Sequence, residues 1–242
     1  MKKNVSKLLR KSIVTMFALA MAVIIPLTAQ AASIDCSKWQ LQQPNNSTQS
    51  SSSLQSGYKS AYFYTASDGG QAFMCPQYGY TTSGSQHTRS EMRENSTWSW
   101  SGTNTLSGTF AVMKQNGSCN AVAQVFNSTD SIPLCELFFT KNDNSAGGNL
   151  QLLYEEAKGA GKNIYLSKHV VIGQKVGYKL QLINGKLVVT ISGAQVYSKT
   201  PSYSGKKFYF KAGNYDQSSS SGTASTTPYS IVEYYALSIS HP

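Results

Sequence analysis

No CxxC pair occurs in the sequence, and its three histidines, His87, His169 and His241, are scattered. A metal centre needs clustered ligands, so no metal and no cofactor is expected. No basic run is interleaved with aromatics, which argues against nucleic acid as a partner. No strand-like segment carries an E-x-D-x-E type row of close carboxylates, so a glycoside hydrolase of the sandwich type is disfavoured. Helical periodicity is scarce, with one turn expected at 155–158. Internal repeats and clear linkers are also missing. The one long apolar run, 13–25, is too short for a comfortable membrane span.

That run belongs to a leader. Lys2, Lys3, Lys7, Arg10 and Lys11 form a positive head, and Ala29-Gln30-Ala31 is a small-x-small cleavage signal. Residues 1–31 are therefore expected to be a signal peptide cut before Ala32. No cysteine follows the cut, so no lipid anchor is indicated, and the mature protein is expected to be secreted or periplasmic and free of the membrane. The leader takes five of the 21 basic residues and none of the 11 acidic ones, so the mature chain keeps 16 against 11. A surplus of five suits an acidic polymer.

Residues 32–242 are long enough to bury a full core and fit one all-β domain. Strands are expected at 105–114, 121–126, 136–140, 150–155, 170–172, 178–183, 186–191, 207–211 and 230–239. Asn184-Gly185 between two alternating runs is a strong hairpin signal. The implied architecture is an antiparallel β-sandwich of jelly-roll type. The polar stretches 45–56 and 218–227 are expected to be exposed loops. Four cysteines allow three pairings. Cys119 and Cys135 bracket a hairpin loop, so that pair is favoured, with Cys36–Cys75 as the other. No sign of association is present, and a monomer is expected.

Two stretches have patterns suited to chemistry. In 207–217, Phe208 and Phe210 alternate with Tyr209, Lys211 and Tyr215, so aromatics point one way and a Tyr/Lys/Tyr row the other. Ala212 and Gly213 leave room for a close approach to the backbone. In 89–93, Arg89, Glu91 and Arg93 share one strand face. An Arg fork matches a carboxylate, and Glu91 between the two can hold their geometry.

Tyr209-Phe210-Lys211-Ala212-Gly213-Asn214-Tyr215-Asp216-Gln217 resembles the YFKAGxYxQ signature of polysaccharide lyase family seven, the alginate lyases. Arg89-Ser90-Glu91-Met92-Arg93 resembles that family's R(S/T)E(L/V)R motif, and Trp39-Gln40-Leu41 with Pro44 its W-x-L-x-x-P start. The resemblance runs from about Cys36 to His241. It implies a jelly roll with the substrate in a groove on a concave sheet, and cleavage of a uronate polymer by β-elimination. That reaction needs the sugar carboxylate neutralised, a base for the C5 proton and an acid for the departing O4. The resemblance implies that Arg89 or Arg93 and Gln124 neutralise and that Tyr215 supplies the acid. Glu91, Lys211, Tyr209, Phe126, Gln217 and His87 are expected around the substrate, and Lys211 is expected to lower the Tyr215 pKa.

One motif departs. The family's Q-(I/V)-H carries a catalytic His, and the matching segment here is Gln124-Val125-Phe126; no other Q-x-H occurs. A phenyl ring takes no proton but stacks on sugars. In mannuronate and glucuronate the C5 hydrogen and O4 lie on one side of the ring, so one Tyr can be base and then acid. In guluronate they lie on opposite sides and two groups are needed. Mannuronate-rich alginate or a glucuronan-like polymer is therefore favoured. His87 offers a replacement imidazole if its strand extends that far. The alternative is a non-catalytic protein of the same fold that binds acidic polysaccharide.

Overall fold

The structure, a computed structural model, describes residues 32–115, 117–141 and 146–242. The leader expected at 1–31 lies outside the described residues.

Two large sheets form. One runs β13 (Lys162–Val171), β12 (Gly147–Tyr154), β11 (Ile132–Lys141), β10 (Cys119–Asn127), β17 (Lys207–Asp216), β7 (Arg89–Glu94), β2 (Trp39–Gln42) and β3 (Thr48–Gln49), with β8 (Trp98–Ser99) beside β17. The other runs β16 (Ala194–Lys199), β15 (Lys186–Ile191), β14 (Val176–Ile183), β9 (Thr103–Lys114), β19 (Pro228–Ser240), β5 (Gln71–Pro76) and β4 (Phe63–Thr65), with β1 (Ser33–Ile34) parallel to β19. A small parallel pair, β6 (Tyr78–Gly79) and β18 (Ser220–Ser221), joins two loops. Within both large sheets, strands far apart in sequence lie side by side, as in β10-β17-β7 and β9-β19-β5. This is the jelly-roll sandwich expected from the strand pattern.

Period-2 alternation decides which face each residue takes. Phe208, Phe210 and Met92 point between the sheets and meet Phe73, Phe110 and Tyr234 from the other layer, all essentially without solvent contact. Burying each such side chain contributes about 2–3 kcal/mol. The intervening residues of β7, β10 and β17 are thereby forced onto the outer face of the nine-stranded sheet.

Gly213 shapes that face. Between Ala212 and Tyr215, β17 advances three residues while β10 advances two, from Ala123 to Ala121. The extra residue makes a bulge. Gly213 sits there at φ +148°, and a Cβ on it would lie 2.7 Å from both the Ser90 carbonyl oxygen and the Glu91 Cα. The backbone that approaches this small pair is therefore strand β7 of the same sheet. At the β14–β15 turn, Asn184 (φ 45°) and Gly185 (φ 82°) form the expected tight hairpin.

Several expectations need correction. The segment 45–56 holds β3 and a short helix, α1 (Ser51–Gln55), whose N-cap Ser50 side chain accepts from the Ser53 N–H. The turn at 155–158 is not helical; the Gly159 N–H goes to the Glu155 carboxylate and the Ala160 N–H to the Ala157 carbonyl, which closes a turn instead. Strand β13 begins at Lys162, well before the expected 170. The four cysteines are free thiols. Cys119 stands opposite Thr140 and Cys135 opposite Val125, so the pair is six residues out of register on β10. At the rise of a strand that is about 20 Å, too far for a disulfide. Cys75 Sγ instead lies 2.9 Å from Thr88 Oγ1 in the core.

Candidate active site

On the outer face, strand register lines up Arg93 (β7), Lys211 (β17), Gln124 (β10) and Glu136 (β11) in one row. Beside it, Phe126 pairs with Tyr209 on one side, and Glu91 and Arg89 pair with Gly213 and Tyr215 on the other. Arg89, Arg93, Gln124, Phe126, Glu136, Tyr209, Lys211 and Tyr215 line a cavity of about 470 Å³, together with Thr82, Ser83, Gly84 and Gln217.

Glu91 is the hub under this floor. It has no solvent exposure. Its Oε2 accepts from Arg89 Nη1 and Lys211 Nζ, both at 2.9 Å, and its Oε1 accepts from Gln124 Nε2 at 2.6 Å. Burial alone would raise its carboxyl, but Lys211 and Arg89 outweigh that and hold it below the usual carboxylate range. Glu91 was expected beside the substrate; it lies beneath the cavity and positions three groups that do face it. It holds Arg89 but not Arg93, whose guanidinium stacks over the Tyr209 ring at 4.2 Å.

Burial brings the Lys211 ammonium down to about 8 against the opposing pull of Glu91. Lys211 is committed to Glu91, so the cation on Tyr215 is Arg89, 4.1 Å from the ring centroid. The phenol was expected below its ordinary value. Burial instead pushes it up, and Arg89 and Ser85 offset this only in part. Ser85 Oγ is 2.7 Å from the Tyr215 hydroxyl and gives its own hydrogen to the His87 carbonyl at 2.9 Å. The neutral phenol can donate to Ser85, and Ser85 can turn its hydrogen to the phenolate, which is how it opposes the effect of burial.

Phe126 stacks on Tyr209 at 4.9 Å and 27°, so its ring leans towards β17. The expectation for His87 fails. Strand β7 begins at Arg89, and the His87 Nδ1 is 2.7 Å from the Ser219 carbonyl oxygen, which turns the ring away from the charged row. Its ring meets Tyr215 at 6.2 Å between centroids, and its backbone holds Ser85. Gln217 does line the cavity.

Glu136, Ser85 and Gln42 are site residues that sequence reasoning missed. Glu136 had a signal: with Leu137 and Phe139 in the core, alternation sends it to the outer face. Gln42 follows Leu41 in the same way. Ser85 lies in a loop without any pattern. Glu136 is 6% exposed, and burial followed by the Glu91 charge pushes its carboxyl up to about 7.

A family model described as alginate lyase matches residues 34–241. Among solved structures, a product complex of the family 7 alginate lyase A1-II′ superposes with TM-score 0.75 at 29% identity, covering 87% of this chain and 97% of that one. An alginate lyase from Pseudomonas aeruginosa superposes with TM-score 0.76 at 26% identity, covering 86% of this chain and 100% of that one. An alginate lyase from Klebsiella pneumoniae, 19% identical with TM-score 0.73 over 87% of this chain and 97% of that one, shares the fold. No curated protein matches the sequence.

Proposed function

Since the chain belongs to the alginate lyase family, we propose that the cavity over β7, β10 and β17 cleaves alginate by β-elimination and leaves a C4–C5 double bond on the new end. The observation that carries this is the convergence of Arg89, Gln124 and Tyr215 on one cavity, with Glu91 fixing the first two. The Arg89 fork and the free amide hydrogen of Gln124 take the uronate carboxylate and stabilise the charge that builds up on its oxygens. The Tyr215 phenol, kept protonated by burial, gives its proton to O4 as the C4–O4 bond breaks. Phe126 and Tyr209 form an aromatic wall for a neighbouring sugar. On mannuronate the phenolate fraction of Tyr215 takes the C5 proton and then gives it to O4 from the same side of the ring. The expected leader supports action outside the cytoplasm.

The test supplies purified protein with mannuronate-block alginate, guluronate-block alginate and glucuronan, and follows the ultraviolet absorbance of the new double bond. Product is expected from alginate with wild type and a loss of about 10²–10⁴-fold with Tyr215→Phe. Binding without product from any polymer would instead establish a non-catalytic polysaccharide-binding protein.

A further inference from the structure

Two carboxyls meet the cavity region, and their surroundings are opposite. Glu91 has three donors on its oxygens. Glu136 is also buried, though it borders the cavity, yet among the described residues nothing donates a hydrogen bond to it. An undonated carboxyl in the wall of a receptor for anions costs stability and repels the ligand. Such a cost is sustained where the group has work to do.

Its position suits one task. Glu136 is the cross-strand neighbour of Gln124, which holds the substrate carboxylate in the reading above. Tyr215 stands on β17, the strand on the other side of β10. The two groups are thus two strands apart, about 9.5 Å across the sheet, and are offset along it by the step from Gln124 to Ala121, about 10 Å. A sugar whose carboxylate sits on Gln124 has Glu136 beside it and Tyr215 diagonally across β10, beyond Lys211. Phe126, at the position where the family pattern has an imidazole, leans towards Tyr209 and leaves the β11 side to Glu136. Tyr215 is a poor base, because burial favours its neutral form.

Resting on the lyase reading, we propose that Glu136 is a further catalytic residue, the base that takes the C5 proton of guluronate. The C5–H electron pair becomes the C4–C5 double bond, and the C4–O4 pair leaves with the oxygen. Tyr215 protonates that oxygen from the opposite side. The Glu136 proton then returns to the phenolate through solvent, which restores both groups. Guluronate blocks thereby become substrates of a site that a lone Tyr would restrict to same-side units.

The charged and titratable groups that bear on Glu136 are Arg89 and Glu91 from β7, Lys211 and Tyr215 from β17, Cys119 from β10 and Glu155 beyond β12. Their sum with burial, a carboxyl near 7, leaves it partly ionised at neutral pH and basic enough to accept a proton.

The experiment measures kcat/KM on guluronate and mannuronate blocks for wild type and Glu136→Gln across pH. Wild type is expected to show an acidic limb on guluronate that is missing on mannuronate. Glu136→Gln is expected to lose about 10²-fold or more on guluronate while staying within a few fold on mannuronate. Equal losses on both polymers, an unaffected guluronate rate, or product from mannuronate alone in wild type would each overturn the assignment while leaving the lyase reading intact. Absence of product from every polymer would sink the lyase reading itself. The wild-type comparison of the two pH profiles decides the matter even if the variant does not fold.

Discussion

Gln124 and Lys211 are cross-strand neighbours that both donate to one carboxylate, Glu91, at 2.6 and 2.9 Å. With Arg89 as third donor, a single buried anion sets the positions of two cations and an amide. The charge on Glu91 lets two cations stay buried under a receptor for anions. Replacing it tests the whole floor.

Glu91→Gln is expected to destabilise the fold by about 3–5 kcal/mol at neutral pH, because Arg89 and Lys211 then face each other without a counter-charge. The pH dependence has a definite sign. The folded carboxyl lies below its ordinary 4.5, so its stabilisation is present above that value and is lost as pH falls through the folded value. The gap between wild type and variant should therefore be widest near neutrality and narrow below pH 4.5. Denaturant midpoints across pH check this, and a constant gap would contradict it.

Ser85 tests the orientation of the phenol. It shares a hydrogen bond with the Tyr215 hydroxyl without itself meeting the row of charges, so it is a positioning residue. Ser85→Ala is expected to lower kcat about tenfold, or about 1.4 kcal/mol, with KM little changed. Loss of the bond also removes one of the two influences that hold the phenol down, so the basic limb of the pH profile should move to higher pH. A change confined to KM would show that Ser85 acts on binding alone.

How much of this was legible beforehand depends on range in sequence. Alternation within 207–216 placed Phe208 and Phe210 inside and Tyr209, Lys211 and Tyr215 outside, because period 2 is a local property of one strand. The row Arg89, Glu91, Arg93 was equally visible, but the complete burial of Glu91 was not. Its depth comes from β17 and β10 closing over it, segments whose contacting residues Lys211 and Gln124 lie 120 and 33 residues away. The same applies to Cys119 and Cys135. Their spacing suggests a hairpin pair, and only the strand register shows them about 20 Å apart.

The thiols give a third prediction. Burial pushes Cys75, Cys119 and Cys135 up to about 12, but only Cys75 and Cys135 are fully buried, while Cys36 and Cys119 keep partial exposure. A thiol reagent should modify at most Cys36 and Cys119 in the native protein and all four after denaturation. Reductant should leave the melting temperature unchanged. A drop on reduction would show that a disulfide forms after all.

Glu136 and Glu91 should respond to pH in opposite senses. Glu136 has a folded value near 7 against an ordinary 4.5, so the folded chain binds more protons than the unfolded one between those limits. Stability must then fall as pH rises through that window, and the ionised group costs about 3 kcal/mol above it. Glu136→Gln removes the ionisation while keeping the shape. It is therefore expected to be more stable than wild type at pH 8 by up to that amount, with the difference vanishing below pH 4.5. Urea midpoints of both proteins from pH 4 to 8 read this out. A variant less stable than wild type at pH 8 would mean that Glu136 holds the fold together. A variant more stable would mean that the fold sustains Glu136 at a cost, which is the pattern of a group kept for chemistry.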